Sequence, residues 1–185
     1  LSQTLVGDDL LLDMAWTAWH HVASGKLPLY NIKTLLVTHK HSDHFSPGLF
    51  DQRGCCYAHD YTPEIEVCGS ADAKRVYDVM DAEYKFEPEI KEGIKFRVVR
   101  PLEKFRSGKY EITALPARHA PNEQALNYIV DDGTGMAKIK SYLVQRVNTY
   151  AFQHPVELMQ NIETIRDRFM VTILLIEHDM KLVMG

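Results

Sequence analysis

Residues 35–50 read LLVTHKHSDHFSPGLF: a run of strand-forming apolar residues, then three histidines and an aspartate within six positions. His39, His41, Asp43 and His44 form the pattern H-x-H-x-D-H directly behind the strand. Where an extended strand gives way to a loop, residues two apart still point to one side, so His39 and His41 can grip one cation together. Asp43 and His44 stand one step further round the turn. There they can hold a second ion, and a carboxylate among imidazoles suits zinc, iron or manganese. The bland alternative is a polar loop with scattered histidines. Nine histidines in 185 residues make some clustering expected, but three with an aspartate at this spacing, behind an apolar strand, form a ligand set.

Outward from this stretch, "DDLLLDM" (8–14) and "NIKTLLVT" (31–38) read as buried strands, and "EIEVCGS" (64–70) as a third. Ser70 is a helix N-cap, and Ala73, Val76, Tyr77, Met80 and Tyr84 follow at helical spacing. Strands continue at "IKFRVV" (94–99), "YEITALPA" (110–117) and "ALNYIVDD" (125–132), between Pro, Gly and charged turns. The order is strand-rich without regular strand–helix alternation, which argues against a doubly wound parallel sheet. Beyond "DDGTG" (131–135), the segments "MAKIKSYLVQRVNTYAF" (136–152) and "PVELMQNIETIRDRF" (155–169) carry helical spacing, and "VTILLI" (171–176) reads as a strand before Glu177 and His178.

The motif "THKHSDH" (38–44) resembles the signature of the metallo-β-lactamase superfamily. "DDLLLDM", "RGCCYAHDYTPEIEVCGS" (53–70) and "ALPARHAPNEQALNYIV" (114–130) resemble other segments of that superfamily in the same order, so the resemblance covers about residues 8–132. It implies an α+β fold, the αββα sandwich, incomplete or rearranged at the N-terminus and after residue 132. One such domain spans 1–185, with a boundary expected near 133–135 and a helical segment over 136–185. The resemblance also implies that His39, His41 and His119 hold a first metal and that Asp43 and His44 begin a second site. Its bridging aspartate has no clear counterpart here. Asp131 and Asp132 are weak substitutes, and the strand expected after "ALNYIV" is not apparent.

The tail "VTILLIEHDMKLVMG" (171–185) supports two accounts. In one, His178 is the superfamily's last metal ligand. In the other, the segment resembles the switch-histidine region of ATP-binding-cassette transporter ATPases. A self-contained ATPase is excluded, because "SGKLP" and "SGKYE" lack the following Ser or Thr of a phosphate-cradling loop.

The reading that follows is a metal-dependent hydrolase in which a metal-bound hydroxide attacks a small ester or phosphodiester, with Asp43 orienting the nucleophile or taking up a proton. The cofactor expected is one or two zinc ions, with manganese or iron as substitutes. The alternative is a catalytically silent scaffold or binding protein that keeps the fold with an incomplete metal site. His20 and His21 follow Trp16 and Trp19, read as a packed indole pair with solvent-facing imidazoles. His59 could line the pocket, and His154 precedes a helix start. The net charge of −4 gives no reason to expect nucleic-acid binding. No stretch has the length of a membrane span, and Cys55, Cys56 and Cys68 form no disulfide framework. The expected partner is a small-molecule substrate and the expected compartment the cytoplasm; the oligomeric state is not legible.

Overall fold

The computed structural model describes residues 3–54, 64–117, 119–120, 122–133, 140–143 and 172–175. The chain forms two compact units, Leu1–Arg100 and Pro101–Gly185.

The first unit is built on a five-stranded sheet in which the strands lie in chain order: β1 (Thr4–Val6), β2 (Leu10–Leu12), β3 (Thr34–Leu36), β4 (Ile65–Gly69) and β5 (Ile94–Val98). A turn at Gly7, whose φ of 63° lies in the left-handed region, folds β1 antiparallel onto β2. The remaining neighbours run parallel. Leu10, Leu11, Leu12, Leu35 and Leu36 are all buried, the continuous apolar run expected of parallel strands covered on both faces.

Crossovers carry the helices α1 (Ala18–Ala23), α2 (Asp51–Gly54), α3 (Ala71–Tyr84) and α4 (Pro88–Glu92). Helix α3 starts where Ser70 Oγ accepts the Ala73 N–H, and it ends at Lys85 in left-handed conformation. Its buried face sets Tyr77 against Phe50, Phe86 and Phe96. Gly69 permits a close approach at the strand–helix junction: a Cβ there would meet those of Ala73 and Val37 at 3.1 and 3.2 Å. Arg53, wholly buried, donates to the carbonyls of Leu29 and Ile32, and burial lowers its guanidinium to about 10.

The second unit holds β6 (Lys104–Ser107), β7 (Tyr110–Ala117), β8 (Ala125–Asp131), β9 (Lys140–Leu143) and β10 (Thr172–Leu175), also in sequential order. Strands β6 to β9 are antiparallel neighbours and β10 pairs parallel to β9. Phe105, Ile112 and Val130 face one side together, and Arg106, Glu111 and Asp131 the other.

Three expectations are corrected. An N-terminal strand is present as β1, three residues long before the Gly7 turn. Residues 140–143 lie in a strand, not a helix: pairing with β8 overrides their helical spacing and supplies the strand expected after "ALNYIV". Strand–helix alternation also exists, confined to the parallel half of the first unit, while the second unit is a mainly antiparallel sheet.

Candidate metal centre

The chain leaves β3 into a tight loop, residues 37–46, that carries the histidine cluster. His44 N–H and Phe45 N–H both donate to the His41 carbonyl, at 2.9 and 2.7 Å, closing the turn that brings His44 back beside His39. A second segment clamps the loop from the end of β2. Asp13 N–H donates to Leu36 O, Met14 N–H to His44 O, Ser46 N–H to Met14 O and Trp16 N–H to Ser42 O. Phe45 is buried and anchors the far side of the loop in the core.

Asp13 organises the interior of this clamp. It is 1% exposed and adopts a φ of 59°, a left-handed conformation that Asp tolerates better than most residues. A buried carboxylate needs donors, and three converge on it. Thr38 N–H donates at 2.8 Å, the Thr38 hydroxyl lies 2.9 and 3.0 Å from its two oxygens, and His44 Nδ1 lies 2.7 Å away. Burial pushes the Asp13 carboxyl above its ordinary range, opposed by the hydrogen bond and charge of His44 and by the Thr38 bonds. With Nδ1 donating to Asp13, His44 turns its Nε2 lone pair outward, where Asp43 Oδ2 lies 3.7 Å away.

That separation is too long for a direct hydrogen bond and slightly longer than the spacing of two ligands on one cation. A tetrahedral ion with N and O ligands at about 2.0–2.2 Å spaces them by about 3.3–3.6 Å. Ligand atoms of His39, Asp43 and His44 all lie within 4.8 Å of one another. The His39 ring centre stands 3.9 Å from that of His44 and 4.9 Å from that of His41. His39 and His44 are buried, while His41 and Asp43 are half-buried, a gradient that leaves one side of the cluster open. The donor set, mixed imidazole and carboxylate with an orienting carboxylate behind it, fits a transition-metal ion.

No family model matches the sequence, and no curated protein matches it. Solved structures do. The short form of human tRNase Z is 12% identical, with 95% of this chain and 85% of that one covered and a TM-score of 0.61. A diphosphatase from the PhnP family is 15% identical, with coverage of 96% and 73% and a TM-score of 0.56. YhfI of Bacillus subtilis, a metallo-β-lactamase fold protein, is 19% identical, with coverage of 76% and 53% and a TM-score of 0.53. The fold is that of the metallo-β-lactamases. This chain spans about half the length of YhfI.

Within the metallo-β-lactamase fold of this chain, the sequence-based residues are placed as follows. His39, His41, Asp43 and His44 are brought together on one loop. His119 lies two residues past the end of β7, in the second unit, half-buried. Asp131 is exposed at the end of β8, its Oδ1 accepting the Gly133 N–H. His59, His154, His178, Cys55 and Cys56 lie outside the described residues, and Cys68 is buried in β4. The likeness of residues 171–185 to ATP-binding-cassette ATPases finds no support in these comparisons. The packed indole pair is corrected: Trp16 and Trp19 are 55% and 46% exposed, with the Trp16 N–H bonded to Ser42 O of the histidine loop and α1 only six residues long. No helix among the described residues is long and apolar enough to cross a membrane.

Asp13 and Thr38 are the site residues that motif reading missed. The signal existed: a lone acid closing the apolar run LLLD is either surface-bound or held by a buried donor, and only the fold tells which.

Proposed function

We propose that this protein is a metal-dependent hydrolase acting on a small ester or phosphodiester, with zinc as the ion. The observation that carries the reading is the His44 imidazole, fixed through Nδ1 on buried Asp13 so that its Nε2 faces Asp43 beside His39. Such outer carboxylates orient ligating imidazoles and raise their basicity. His39 and His41 would hold a first ion, and Asp43 with His44 a second.

An ion bound there supplies Lewis acidity and lowers the pKa of water towards about 7. The chain's own groups do the rest. Asp43, half-buried at the open side, orients the attacking water and takes up its proton at a carboxylate oxygen. The imidazoles hold the cluster rigid, and the buried wall behind His39 and His44 keeps bulk water from one side of it. The phosphodiester preference draws on the solved structures of similar fold, which include a tRNase and a diphosphatase. A small-molecule substrate suits the chain's net negative charge better than a nucleic acid.

One observation favours a second reading, a silent scaffold that keeps a partial metal site. Between Asp132 and Glu157 the sequence has no acid, so no carboxylate stands in the chain directly after β9, where one joining two ions is expected. The two readings part in one experiment. The zinc- or manganese-loaded protein is assayed on bis(p-nitrophenyl) phosphate beside its His39→Ala variant. Turnover that falls at least about 100-fold in the variant, beyond the effect usual for an outer-sphere change, supports the hydrolase. Metal bound with no turnover above the variant's supports the scaffold.

A further inference from the structure

We propose that the Thr38 hydroxyl is a positioning group that fixes the tautomer of His39 and ties it to the carboxylate that already holds His44, so that both imidazoles present Nε2 to the same side.

The argument is a count of protons. A threonine hydroxyl has one proton and two lone pairs. Thr38 Oγ1 lies 2.9 Å from Asp13 Oδ2 and 3.0 Å from Oδ1, and it is also 3.0 Å from His39 Nδ1. Asp13 accepts the Thr38 amide and the His44 imidazole, so its oxygens act as acceptors, and the hydroxyl proton goes to one of them. Thr38 Oγ1 then has only lone pairs left for His39, whose Nδ1 must carry the hydrogen. The proton-free nitrogen of His39 is therefore Nε2. In the opposite arrangement the hydroxyl would donate to His39 Nδ1, placing a lone pair of Oγ1 against a carboxylate at two contacts under 3.1 Å. Burial deepens the penalty, since Thr38, Asp13 and His39 are 1%, 1% and 3% exposed and water has little access to compensate.

One carboxylate thereby serves two ligands, His44 directly and His39 through a hydroxyl. His44 Nδ1 lies 3.4 Å from the same hydroxyl, too far to displace its 2.7 Å bond to Asp13. Thr38 contributes twice, because its own amide also holds Asp13 in place. The purpose of this arrangement rests on the metal-centre reading; the tautomer itself does not.

The test uses the full chain in the metal-free state, with imidazole nitrogens labelled and read by long-range nitrogen–proton NMR, and zinc alone as the binding probe. The wild type is expected to show His39 protonated at Nδ1. In Thr38→Val, which keeps the branched shape and removes the hydroxyl, that tautomer should be lost and zinc affinity should fall about 10–100-fold, the range usual for an outer-sphere partner. Thr38→Ser should restore both. A wild-type His39 protonated at Nε2 overturns the inference, and that measurement stands even if Thr38→Val fails to fold. A Thr38→Val protein with the wild-type tautomer and an affinity within about 3-fold of wild type, well inside the outer-sphere range, overturns it as well. A wild type with the expected tautomer that binds no zinc upholds the hydrogen-bond assignment while overturning the metal-centre reading.

Discussion

Asp13 sits where backbone strain, burial and charge meet. Because Asn adopts the left-handed conformation as readily as Asp, Asp13→Asn keeps the φ of 59° while it removes the negative charge and replaces one acceptor oxygen by an NH2 donor. His44 then loses its charged partner, and zinc affinity is expected to fall about 10–100-fold, measured by competition with a chromophoric chelator. An unchanged affinity would show that His44 is oriented by its packing alone. Asp51 carries a different prediction. Burial, with a contribution from Glu87, raises its carboxyl above 3.8. The folded protein therefore binds this proton more tightly than the unfolded chain. The stability that results is fully present below pH 3.8 and is lost as pH rises through the raised value. Asp51→Asn should melt higher than wild type at neutral pH, with the gain vanishing as pH falls towards about 4 in thermal denaturation. A gain that grows on acidification would reverse the sign.

At the scale of elements, the junction between β4 and α3 concentrates packing and capping in two residues. Gly69→Ala would drive a methyl against Ala73 and Val37, both in the buried core, and is expected to destabilise by about 1–3 kcal/mol. Ser70→Ala removes the Ala73 N–H acceptor and should destabilise by about 1 kcal/mol, both read from denaturant unfolding midpoints. The same junction was legible beforehand, because a cap residue followed by helical spacing over 14 residues leaves little choice. Strands β1 and β6, of three and four residues, were not: alternation over so few positions does not stand out from a turn. Strand β9 was read as helix because Lys140–Leu143 has no strong preference of its own and takes its conformation from the β8 ladder. The ligand cluster was readable because local spacing sets it. Asp13 was not, since it meets His44 across 31 positions of sequence and only the β2–β3 pairing brings them together.

For the molecule as a whole, metal binding and folding are expected to be linked, since Asp13 orients His44 only once β2 and β3 have paired. An ion that binds only the folded chain at 100 times its dissociation constant stabilises it by about 2.7 kcal/mol. For a chain of 185 residues this corresponds to a melting temperature about 5–10 °C higher with zinc than after chelation. The most direct measurement of the central claim is metal stoichiometry. Purified protein, supplemented with zinc and freed of excess, is analysed for metal content beside its His44→Ala variant. The account predicts about one equivalent or more in the wild type and a clear loss in the variant. Less than about a tenth of an equivalent in the wild type, or equal content in both proteins, would contradict it.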